Sequence, residues 1–116
     1  MTILTAVSAK IEPYSVSDEA LEVNFTEAAD FLGVYASVGD TYVVGEHLKA
    51  VTLAAMKILS GLRTLASENL GGLSNTYDRS QINAMIKALA KSAGLPLSLV
   101  GVDEGGEMYV KAVHVW

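Results

Sequence analysis

Residues 46–66 read EHLKAVTLAAMKILSGLRTLA, and the spacing of apolar side chains in this stretch decides the fold class. Projected at 100° per residue, Leu48, Val51, Thr52, Ala55, Ile58, Leu59, Leu62, Leu65 and Ala66 gather on one broad side of a helix. Lys49, Lys57, Ser60 and Arg63 fall opposite. At the usual rise per residue the helix is about 30 Å long, the width of a small domain, which makes it the expected central element. Leu53 and Met56 project among the basic residues. Either another helix or a C-terminal strand covers them, or they mark a contact with another polypeptide.

Toward the amino terminus, Thr2 is placed to cap a short helix that presents Ile3, Leu4, Val7 and Ile11 at three- and four-residue steps before Pro13 stops it. Ser15 or Ser17 caps a second helix, with Asp18 and Glu19 where the positive end of the helix dipole favours acids. Its core stripe is Leu21, Phe25, Ala28, Ala29 and Leu32, and Gly33 ends it. Glu22, Val23, Glu27 and Asp30 lie largely outside that stripe. Residues 34–45 read as a connection with turn chemistry at Gly39-Asp40 and β-favouring Tyr42, Val43 and Val44, suited to a small hairpin or an irregular loop.

Toward the carboxyl terminus, Ser67 to Tyr77 is rich in Gly, Ser and Asn, and Gly71-Gly72 allows a sharp bend. Asp78 with Gln81 forms a variant capping box for a last helix, whose buried stripe is Ile82, Met85, Ile86, Leu89, Ala90 and Ala93. Gly94 followed by Pro96 terminates that helix. After a turn at Asp103 to Gly106, Met108 to Trp116 has strand composition. Such a strand needs a partner, from residues 42–44, from residues 73–77 or from a neighbouring subunit. The expected fold is therefore mainly α, a small bundle of about four helices around a long central helix, with a short C-terminal β-strand or hairpin. At 116 residues it is expected to be a single domain.

Composition narrows the function classes. The chain is 51% hydrophobic and 18% charged, too apolar for a disordered chain and greasy for an isolated monomer. Cysteine is absent, which excludes disulfides, thiolate nucleophiles and sulfur-ligated metals. Met1 to Ile11 lacks the pattern of a signal peptide, and no stretch approaches a membrane span, so a cytoplasmic protein is expected. Residues 1–46 hold eight acids against Lys10, a local net of −7, and residues 47–100 hold six bases against Glu68 and Asp78, a local net of +4. An ordinary solvated surface accounts for this, as does head-to-tail association of an acidic front with a basic back.

No catalytic constellation emerges. His47 and His114 are the only histidines and have no metal-ligand spacing around them. No nucleophile elbow, phosphate loop or dinucleotide fingerprint is present. Asp18, Glu19 and Glu22 read as helix-capping charge before they read as a cation site. Tyr35, Tyr42 and Tyr77 do not interleave with bases, and the net charge is −5, which argues against a nucleic-acid groove. No cofactor, metal or enzymatic activity is expected.

In its order of elements the chain resembles the phage head-tail connector, or head-completion adaptor, family. The likeness runs over about residues 15–93 and is carried by Asp18, Leu21 and Ala28, then Leu48, Val51 and Leu59, then Leu73-Ser-Asn-Thr-Tyr77-Asp78 leading into Ile82, Ile86 and Leu89. The resemblance implies a structural virion or prophage protein: a homo-oligomeric ring between portal and tail, contacting portal and neck or tail proteins. DNA would pass through without sequence-specific binding. It implies a virion neck location, with the bacterial cytoplasm during assembly. Each subunit would pair heterologously with the next. Lys49, Leu53, Met56, Lys57 and Arg63 would form one side of that contact, and Glu19, Glu22, Glu27 and Asp30 the other. The Gly71-Gly72 bend would reorder on docking. The strand-like tail departs from the family pattern. Two other classes remain open: another small protein-protein interaction module, such as a tail-completion protein or a bacterial partner-binding domain, and a minor enzyme or ligand-binding domain.

Overall fold

A computed structural model describes residues 1–68 and 79–100. The expected bend at Gly71-Gly72, the cap Asp78, the turn at 103–106 and the strand from Met108 to Trp116 lie outside the described residues. The described residues form four helices, α1 (Ile3–Lys10), α2 (Asp18–Leu32), α3 (Val44–Glu68) and α4 (Arg79–Ala93), followed by a one-turn 3-10 helix at Leu97–Val100. Among them there is no strand, only an isolated antiparallel bridge between Thr2 and Thr41. The protein is mainly helical. It divides into two compact units, Met1–Ile58 and Leu59–Trp116, with the boundary inside the continuous α3.

In the first unit, α1 and α2 pack against each other. They bury Ile3, Ala6 and Val7 from α1 and Leu21, Phe25, Ala28 and Ala29 from α2, with Ile11 and Tyr14 from the connection. Each large side chain among them contributes about 1.5–3 kcal/mol by leaving water. The Glu12–Pro13 peptide bond is cis. Ser17 is the residue that caps α2, its hydroxyl accepting the Ala20 amide at 3.1 Å. Gly33 closes α2 with φ of 73°, and the Val34 amide donates back to the Ala29 carbonyl at 2.8 Å. Leu32, expected in the buried stripe, is half-buried.

Residues 34–43 form an irregular loop, and that loop solves a problem at the start of α1. The first amides of any helix have no partner within it. Here Ile3 donates to the Asp40 carbonyl at 2.9 Å, Leu4 to the Val38 carbonyl at 3.0 Å, and Thr5 to the Thr2 hydroxyl at 3.3 Å. Tyr42 returns a bond to the Met1 carbonyl at 2.9 Å. The loop is itself closed by Asp40, whose carboxylate accepts the Ser37 amide at 2.9 Å and the Ser37 hydroxyl at 3.3 Å. A turn residue read from sequence as punctuation is thus the fastening for α1.

The α3 helix starts at Val44 and ends at Glu68, two residues beyond the expected stretch at each end. Glu46 and His47 both donate to the Val43 carbonyl, at 3.0 and 2.8 Å, and the Val43 amide donates to His47 Nδ1 at 3.0 Å. That local capping overrides the β preference of Val43 and Val44. Every residue from Ala50 to Met56 is buried, so this part of α3 has no wet side. The buried Thr52 hydroxyl has no hydrogen-bond partner among the described residues. Such a group typically costs about 1–3 kcal/mol.

In the second unit, α4 buries Ile82, Ile86, Ala90 and Ala93, while Met85 and Leu89 are half-buried. Gly94 ends α4 with φ of 69°, and the Leu95 amide donates to the Ala90 carbonyl at 2.9 Å. The 3-10 turn packs on α4, and the Ser60 hydroxyl of α3 donates to the Val100 carbonyl at 3.2 Å.

The fastening of α1 is testable with Asp40→Ala. The substitution is expected to lower unfolding stability by about 1 kcal/mol and to shorten hydrogen-exchange protection at the Ile3 and Leu4 amides. Unchanged protection at those two amides would show that the loop does not depend on Asp40.

A candidate docking surface on the second helix

The acids expected on the surface are there. Glu19, Glu22, Glu27 and Asp30 are all exposed on α2, opposite the stripe it buries. Apolar side chains share that accessible side. Val23 is exposed, Phe31 is 66% exposed, and Tyr35, just past the Gly33 cap, is 99% exposed. Thr26, Asp30, Gly33, Val34, Tyr35 and Ala36 contribute to the lining of an open depression of about 310 Å³ beside this corner. Residues 18–40 carry six acids and no base, so the segment that bears the apolar corner is itself wholly acidic.

The basic side expected on α3 does not survive as a surface set. Lys49 is exposed, but Leu53, Met56 and Arg63 are buried. For Leu53 and Met56 the covered alternative holds, because α3 has no wet side from Ala50 to Met56. Lys57 is half-buried, and its ammonium meets Glu27 Oε1 at 2.7 Å within the same chain. Sequence reasoning placed those two residues on opposite subunits. With both side chains substantially solvated, the pair is worth about 0–1 kcal/mol and serves mainly to orient Lys57 over α2.

Arg63 is only 1% exposed, and its Nη1 donates to Asn83 Oδ1 at 2.9 Å. Burial, and secondarily the like charge of Arg79, lower its pKa from the ordinary guanidinium value. Arg63 therefore belongs to the interior of the second unit, joining α3 to α4. His47 is buried and engaged with the Val43 amide, its ring 6.4 Å from that of Tyr42, so its position is accounted for by the start of α3. His114 lies outside the described residues.

Sequence reasoning missed Phe31 and Tyr35. Phe31 falls off the core stripe by its angle on α2, and Tyr35 follows a helix-ending glycine, which together would have pointed outward. A second depression, about 430 Å³, is lined by Lys87, Ala90, Lys91, Leu95, Pro96 and Leu97 at the end of α4. Among the described residues no group of three or more His, Asp or Glu side chains is placed to hold a metal ion. No helix among them is long and apolar enough to cross a membrane.

The described residues thus define a mainly helical protein with an exposed acidic and aromatic surface on α2. The chain belongs to DUF6706, a family of unknown function whose model matches residues 1–107. No curated protein matches it, and neither does any solved structure.

The reassignment of Arg63 is open to a direct check. Arg63→Glu buries a carboxylate against the Asn83 carbonyl oxygen and is expected to lower stability by several kcal/mol, on the order of 3. Lys49→Glu, at an exposed position, should stay within about 0.5 kcal/mol of wild type by urea denaturation. Equal small effects from both would place Arg63 in solvent.

Proposed function

We propose that this protein is a non-enzymatic phage head-tail connector subunit, one copy of a ring that joins portal to tail around the DNA channel. The observation that carries the proposal is the outward side of α2, where Val23, Phe31 and Tyr35 stand exposed among Glu19, Glu22, Glu27 and Asp30. Large exposed aromatics inside a polar rim are the usual anchors of a protein contact. The helical architecture and the resemblance over residues 15–93 support the same assignment. In this proposal the ring forms by heterologous contacts that close through rotation, in the virion neck, and the neighbours are portal and neck or tail proteins.

Negative-stain electron microscopy of the purified protein, alone and mixed with a portal, tests the proposal. Rings, or density added beneath the portal, are expected in at least one of the two samples. Absence of rings and of portal binding in both would overturn it.

A further inference from the structure

Two features left over from the fold are opposite in charge, and both offer apolar surface. One is the corner of Asp30, Phe31 and Tyr35, whose tyrosine ring stands almost wholly in solvent. The other is the open groove at the end of α4, with Lys87 and Lys91 on its rim and Leu95, Pro96 and Leu97 along it. Both lysines are exposed and lie one turn apart on the same side of α4. Residues 79–100 carry Arg79, Lys87 and Lys91 and no acid, against the six acids and no base of residues 18–40.

We infer that the Phe31–Tyr35 corner of one copy docks into the Lys87–Leu97 groove of a second copy, making the head-to-tail contact of the oligomer. The inference deepens the connector proposal and rests on it for the closure of the contact into a ring. A tyrosine is suited to this task because it carries a large rigid area on few rotatable bonds, with a hydroxyl left for the wet edge. The groove offers a proline and two leucines for the ring face and two ammonium groups for the surrounding carboxylates. Those lysines now take the place that sequence reasoning gave to the bases of α3. The contact is heterologous, since the corner and the groove are different surfaces, so an open assembly keeps one corner and one groove free until a ring closes. Charge steering makes the association weaken as salt rises.

The test uses two full-length variants, Tyr35→Ala, which lacks the corner, and the double variant Lys87→Glu with Lys91→Glu, which lacks the groove charge. Sedimentation velocity is run on each alone, on the wild type, and on a one-to-one mixture of the variants. Wild type is expected to form species larger than a dimer. Each variant alone should need roughly tenfold or more protein to associate. The mixture should stop at a one-to-one dimer, because each dimer then contains one intact corner in one intact groove. Thermal melting matching wild type confirms that both variants are folded. Wild-type-like oligomers from both variants would overturn the inference while leaving the connector proposal in place, since rings would still form by another contact. A wild type that never self-associates in solution would also overturn it, and the portal mixture would then decide the connector proposal separately.

Discussion

The burial of α3 from Ala50 to Met56 constrains the rest of the molecule. Seven consecutive buried residues cover about two turns, so no side of the helix is left for water or for a partner in that stretch. Other parts of the chain cover that stretch, so accessible chemistry has to lie elsewhere, and α2 faces both ways. One side carries Leu21, Phe25, Ala28 and Ala29 into the interior, and the other carries the acids together with Val23 and Phe31 into solvent.

Local hydrogen bonding explains why these segments hold their places. The loop between α2 and α3 is irregular, yet its carbonyls at Val38 and Asp40 take up the two amides that α1 cannot satisfy by itself. One carboxylate, Asp40, folds the loop into the shape that allows this. The same economy appears at the start of α3, where His47 reaches back to the Val43 amide. Two polar side chains of α3, His47 and Arg63, are thus engaged by the architecture. Arg63 is the clearest case, a charged group spent on holding α3 to Asn83 of α4.

Much of the helical layout was legible in the sequence because caps are local. Thr2, Ser17, Gly33 and Gly94 act within four residues of themselves, and each stands where its chemistry places it. Burial around α3 was not legible, because a helical projection sorts side chains by angle and says nothing of how many neighbours surround the axis. The angle of Leu53 and Met56 left a covered position and an outward contact equally open, and only the packing decides for the first. Arg63 falls opposite the apolar stripe by angle, and the partner that holds it inside lies twenty positions away along the chain. Lys57 and Glu27, thirty positions apart, are brought together only by the packing of α3 beside α2. Of the candidate interface, the four acids on α2 were read from the sequence, and the aromatic side chains beside them were missed although the angle of Phe31 already pointed outward.

The central claim is that the protein meets other polypeptides through the outer corner of α2 and not through the middle of α3. Hydroxyl-radical footprinting of the free and the assembled protein, read by mass spectrometry, addresses it most directly. Phe31 and Tyr35 should be strongly labelled in the free chain and protected on assembly, with Met56 resistant in both states. Equal labelling of Phe31 and Tyr35 before and after assembly, with protection appearing at Met56 instead, would contradict it.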